Sequence, residues 1–445
     1  MPWADLFLPD RLPGVSLGDG LCRFLSYRLP DAEMTDSEAA AARSLLTASA
    51  VRTRAQFMLD LALDGRLDEL SVDLGKLDVA ADLVIETTRA AYPDLKVPFH
   101  SRWRHFSAGG HDRWGMIADA RGWHDPQDEA RAAADLAIVS VLLDAGAGPD
   151  WRFEEPATGE TYVRSEGLAV ASFAMMASGL LSTEPLDPIR IDAEALEDLE
   201  EAELAEALQA GPGNPLAGIA GRLDLMHRLG EVVADREDVF AIAGAPRPGG
   251  IIDALIARAE DGRLPAEAIL ATVLDALGPI WPSRLSLGGI ALGDTWRHPA
   301  FETADATTGL IPLHKLSQWL SYSLIEPLML TGIEVTDLDG LTGLAEYRNG
   351  GLFLDTGVIA LKNPADALRE HTVDSPLVVG WRALTVALLD LTAKRVREKL
   401  GLDAETLPLA SVLEGGTWAA GRRIARELRP GGGPPLAIVS DGTVF

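Results

Sequence analysis

Alanine and leucine recur at helical spacing along most of this chain, and Gly/Pro breaks rather than strand segments separate the runs. No strand–helix–strand alternation is visible, so the expected fold is mainly α with small β-hairpins. Helices are predicted at 36–62, at 77–92 and after Asp125-Pro126, where Asp suits an N-cap and Pro the first helical position. Gly146 to Pro149 ends that helix, and a hairpin pairs 151–153 with 161–163. Ser165 offers a cap for a helix over 166–181, and an acidic helix covers 192–208. Further helices fall at 251–260, 265–277 and 377–399, and one from Leu313 ends or kinks at Pro327. Asn349-Gly350 predicts one more hairpin, and Asp441-Gly442 another at the C-terminus. Residues 1–35 read as an N-terminal extension. Residues 36–445 read as one intertwined catalytic unit, with a sub-domain break permitted near 211–250.

Charge narrows the partners. Asp and Glu number 67 against 39 Lys and Arg, a formal net charge of -28, whose field repels nucleic acid and anionic membrane surfaces. The single cysteine, Cys22, excludes an internal disulfide framework and a Cys-rich zinc site. No secretory signal and no uncharged apolar run of membrane-spanning length is seen, so a cytoplasmic protein is expected. Nothing in the sequence sets an oligomeric state.

Against that acidic background, Phe99–Trp114 concentrates three His, three Arg and two Trp. His100, Arg102, Trp103, Arg104 and His105 combine planar donor forks with flat aromatic faces, a pattern suited to a small anionic, phosphorylated ligand. The same residues also describe a helix start packed by Trp, with Arg paired to carboxylates. A second cluster, Asp294, Trp296 and Arg297, lies in a predicted loop. On the helix from Leu313, the leucines at 313, 316, 320, 324 and 328 form one apolar stripe. His314, Gln318, Ser321 and Tyr322 share another arc, with Lys315 and Glu326 at its edge, as a polar pocket wall would. Glu346, Tyr347 and Arg348 precede the Asn-Gly turn. Asp144, Asp150 and Glu166 are further acids. His100 and His105, five apart, do not share a helical face, and no HxH or HExxH occurs, so no metal is expected. Nucleophile-elbow, Walker and dinucleotide-binding signatures are missing as well.

The blocks His100-Ser-Arg-Trp-Arg-His105, Arg164-Ser-Glu-Gly-Leu-Ala-Val-Ala-Ser172, Gly293-Asp-Thr-Trp-Arg-His-Pro299, His314-Lys-Leu-Ser-Gln-Trp-Leu320, Glu346-Tyr-Arg-Asn-Gly-Gly351 and Leu413-Glu-Gly-Gly-Thr-Trp418 together resemble the uracil catabolism protein 4 family of fungi and bacteria. The resemblance runs from about residue 40 to Phe445. It implies a pathway in which uracil becomes its 5′-nucleotide, the ring is opened and urea is released. It also implies a helical architecture similar to queuosine-nucleotide salvage hydrolases of DNA-glycosylase-like fold. The implied reaction is hydrolysis of the N-glycosidic bond of a ribosyl 5′-phosphate such as ribosylurea phosphate, with no cofactor. Arg102, Arg104 or Lys315 would hold the phosphate, and Trp103 or Trp296 would bound the sugar or urea. Glu326, Glu346 or Asp294 would supply the carboxylate. The rival readings are a metal-independent ring-opening amidohydrolase and a non-catalytic nucleotide-binding scaffold.

Overall fold

A computed structural model describes residues 36–144, 146–242, 245–281 and 284–439. The fold is mainly α with seven two-stranded sheets among these residues, five antiparallel and two parallel. Local signals account for several elements. Asp125 accepts from Gln127 N at 2.9 Å and Pro126 takes the first position of helix Pro126–Leu142, which is buried from Ala132 to its end. The hairpin Arg152–Glu154 with Thr161–Val163 forms as the spacing predicts.

Other expectations change. The run 36–62 is two helices, Asp36–Ser44 and Ala48–Leu63, because Thr47 caps the second by accepting from Ala50 N at 3.0 Å. The acidic run likewise divides into Ala193–Glu197 and Glu201–Ala207. Ser165 does not cap its helix, which begins at Arg164; its hydroxyl instead donates to Asp144 at 2.6 Å.

Helix Lys315–Leu330 does not end at Pro327 but continues to Leu330. A proline leaves the carbonyl four residues back without a donor, and here the Trp103 indole donates to that Ser323 carbonyl at 2.9 Å. Asn349-Gly350 is not a hairpin turn but lies inside helix Tyr347–Asp355, capped by Glu346. Gly350 is required by close packing: a Cβ there would meet Trp381 at 2.7 Å. Of the C-terminal hairpin, Ala437–Val439 is a strand parallel to Glu370–Thr372, while the Asp-Gly turn and the residues after it lie outside the described residues. So do the extension 1–35 and Cys22.

One continuous apolar core gathers side chains from Ala48 to Leu436, and segments on both sides of 211–250 contribute to it. Helix Pro376–Leu400 is long and apolar enough by length and composition to cross a bilayer, but Arg382 and Asp390 interrupt it, so it is not an uncharged apolar run. It is 83% buried over its apolar window, packed on helices 48–63 and 77–91, and it carries the buried Arg382.

Candidate functional site

The segment 100–106 is seated on helix 315–330, in part through the Ser323 carbonyl that Pro327 leaves free. Beside the Trp103 indole bond, Arg102 N donates to Ser323 Oγ at 3.0 Å and Ser101 Oγ donates to Glu326 at 2.6 Å. Arg104 pairs with the same Glu326 carboxylate. At about 100° per residue, Lys315, Trp319, Ser323 and Glu326 fall within one arc of the helix. That arc, rather than the one through Gln318 and Tyr322, receives the 100–106 segment.

Trp319 is the centre of the arrangement. His100 stacks on its ring at 6.4 Å, His105 meets it edge-on at 6.2 Å, and the Arg102 guanidinium lies 5.6 Å from its centroid. Arg102 is fully buried; its Nε donates to Ser140 at 2.7 Å, and its Nη1 reaches Ser165 Oγ at 3.0 Å and Asp144 at 3.2 Å. His100 Nδ1 lies 2.8 Å from Glu414. Yet Arg102 Nη2, Arg104 Nε, His105 Nδ1 and Trp319 Nε1 are enclosed with no partner among the described residues. Native proteins leave few such atoms, and a concentration of them around one ring marks a place where polar groups of a ligand can bond.

The charges agree with that placement. Burial lowers the pKa of the Lys315 ammonium, against the pull of Glu346 and Asp144. Burial raises that of Glu346, whose oxygens accept from Arg348 N at 2.7 Å and Asn349 N at 2.5 Å. Glu326 is raised by burial as well, with Arg104 and Ser101 opposing. Burial also works against the Glu414 carboxylate, but His100 holds it below the ordinary range.

His105 is pulled down to about 4 by burial and by the Arg102 charge. An NMR titration of its ring is expected to show a neutral imidazole down to about that pH. His298 is also brought to about 4 by burial. Both lie below the unfolded value near 6.5, so the stability linked to these neutral rings is full above about pH 6.5 and is lost as pH falls toward 4. A His105 ring titrating between pH 6 and 7 would contradict this.

The remaining expected site residues lie elsewhere. Trp103 packs edge-on against Phe106 and Trp114. Asp294 accepts from Arg382 at 2.8 and 2.7 Å, from the Trp296 indole at 2.6 Å and from Lys315 N at 2.9 Å, so its carboxylate is fully engaged. His314 turns away from Trp319, placing Nε2 3.0 Å from the Leu45 carbonyl, and lines a small cavity with Asp294 and Trp281. Trp296 and Arg297 border a separate groove of about 540 Å³ with Arg284 and Asp374. Gln318 and Tyr322 are fully buried and both bond the Thr342 backbone. Arg348 reaches the Gly432 carbonyl at 2.7 Å. Sequence reasoning missed Trp319 and Glu414 as site residues, although both stand inside the quoted blocks. No group of three or more His, Cys, Asp or Glu is placed to hold a metal among the described residues.

Comparison with known proteins places this geometry in a family. The family described as protein of unknown function (DUF1688) matches residues 44–445. Protein urg3 of Schizosaccharomyces pombe is 37% identical over 411 residues, covering 90% of this chain and 98% of that protein. Uracil catabolism protein 4 of Lachancea kluyveri is 34% identical over 419 residues, 86% of this chain and 93% of the relative.

Proposed function

The chain belongs to the DUF1688 family, and on that premise we propose that it acts in uracil catabolism as a hydrolase cleaving the N-glycosidic bond of a ribosyl 5′-phosphate such as ribosylurea phosphate. The observation that carries the reading is the convergence of unpartnered donors on Trp319, beside Lys315 and the carboxylates Asp144 and Glu346. The name of the Lachancea kluyveri relative supports the pathway.

The chemistry requires water to add across the bond between the ribosyl carbon and the urea nitrogen. The hydroxyl goes to carbon and the proton to the leaving nitrogen. Positive charge builds on the ribosyl ring as that bond lengthens, and a carboxylate beside it stabilises the charge. Asp144 suits that role and can take the proton of the attacking water. Glu346, favoured in its neutral form by burial, suits protonation of the leaving urea. Trp319 gives a flat wall, and the free donors of Arg102 and Trp319 suit the sugar hydroxyls and the urea oxygen.

The test is incubation of the purified chain with ribosylurea 5′-phosphate, with urea and ribose 5-phosphate measured separately. Equal release of both products is expected. No release at near-stoichiometric enzyme would overturn the reading. Turnover of a ring-closed pyrimidine nucleotide instead would favour ring opening.

A further inference from the structure

Most buried cations in this acidic chain are already matched. Arg102, Arg113, Arg247 and Arg382 each meet a carboxylate directly, as does the part-exposed Arg104. At the Trp319 cluster the Lys315 ammonium makes no ion pair among the described residues, but the charges of Glu346 and Asp144 beside it oppose a dianion there. A group of arginines less well matched by carboxylates among the described residues lies along and beside helix Trp418–Leu428.

This helix packs so closely on helix 347–355 that a Cβ at Gly421 would overlap the Arg348 carbonyl. Arg348 is 9% exposed, lies 4.7 Å from the Tyr347 ring centre and leaves its Nε with no partner among the described residues. Arg422, next to Gly421, rests on Trp418 at 5.2 Å, and its one carboxylate among the described residues, Glu166, is 3.9 Å away, at the limit for an ion pair. Arg426, one turn on, flanks the Pro430–Gly432 turn that receives Arg348: a Cβ on Gly432 would meet its side chain at 2.7 Å. Arg164 opens helix Arg164–Ala177 with φ +57°, a left-handed backbone that a side chain of this size rarely adopts and that recurs where function demands it. After burial and Glu166, the charges of Arg426, Arg164 and Arg348 all act on Arg422, so the four share one electrostatic neighbourhood.

We propose that Arg164, Arg348, Arg422 and Arg426 form a site for a phosphomonoester dianion, distinct from the donors around Trp319, and that it takes the 5′-phosphate end of the ribosyl ligand. The second half of this proposal rests on the glycosidase reading. Four guanidiniums with one marginal carboxylate repel one another, and a dianion relieves that repulsion while matching their donor forks. Glu166 joins the two regions, since its charge also reaches Arg102 and His105. The ligand would then lie with its phosphate at the arginines and its scissile bond beside Trp319.

Calorimetric titration of the full chain with ribose 5-phosphate, with inorganic phosphate as competitor, tests the site. Arg164 is exposed and Arg422 partly so, which makes R164A and R422A tolerable to the fold. Each is expected to weaken ribose 5-phosphate binding by about 10-fold or more, while the surface variant R121A leaves it unchanged. Phosphate should displace ribose 5-phosphate from the wild-type chain. Unchanged affinity in both variants, an equal loss in R121A, or no wild-type binding of either probe at millimolar concentration would each overturn the site. If the variants lose ribose 5-phosphate and the wild type releases no urea, the site stands and the glycosidase reading falls. If the wild type releases urea and R422A keeps its KM, the site falls and the glycosidase reading stands.

Discussion

Replacing Asp294 with alanine is expected to remove about 3–5 kcal/mol of folding stability, seen as a lower urea midpoint at unchanged slope. The reason is what the substitution leaves behind. The Arg382 side chain is 1% exposed, in the middle of the long core helix, and both Asp294 oxygens face its guanidinium. Without the carboxylate that charge stays in the core, and Trp296 Nε1 and Lys315 N lose their acceptor too. The pair also ties strand Thr295–Arg297 to helix 376–400, so the loss reaches beyond one bond. Burial disfavours the charged carboxylate, but Arg382 and the hydrogen bonds win and hold it well below the usual range. Its folded pKa is thus below the unfolded value near 3.9: the contribution is present above about pH 4 and is lost as pH falls through the folded pKa. Replacing both partners, Asp294→Leu with Arg382→Met, should recover much of the loss. If D294A instead melts like the wild type but releases no urea, Asp294 acts on substrate and this assignment is wrong.

Elements whose signals are local were legible in the sequence. Asp125-Pro126 announces its helix, and the spacing of 151–153 from 161–163 its hairpin, because cap and turn chemistry operate within a few residues. The misread elements depend on distant partners. Pro327 reads as a stop only while the Ser323 carbonyl has no donor, and that donor, Trp103, is far away in sequence. Asn349-Gly350 reads as a turn because Gly has two uses, and here the use is contact with Trp381. The 100–105 cluster stood out through its density of cations and aromatics in an acidic chain. What sequence could not give is the helix face those residues meet. Trp319 is apolar enough to pass for core, and Gln318 and Tyr322 are polar enough to pass for a pocket wall. Only the packing reverses these roles, turning the two polar side chains to the Thr342 backbone and the tryptophan to the histidines.

Replacing Lys315 with methionine is expected to separate activity from stability in the opposite sense to D294A. The Lys315 ammonium makes no hydrogen bond or ion pair among the described residues, and burial lowers its pKa. An unpaired, largely desolvated charge costs the folded state free energy, so an apolar chain of similar length should leave the urea midpoint equal or higher. A group kept at such a cost fits ligand binding better than folding. Its neighbours Glu346 and Asp144 are the two carboxylates proposed for the reaction, and in that proposal the ammonium would orient substrate and set the field in which they exchange protons. Losing one preorganised donor of this kind typically lowers kcat by about 10²–10³-fold. The expected result for K315M is therefore urea release reduced by about that factor in a protein that melts no earlier than the wild type. K315R, which keeps the charge but not its shape, should recover only part of the rate. Full activity in K315M would remove Lys315 from the mechanism, and a large drop in its midpoint would show that the lysine is a structural cation after all.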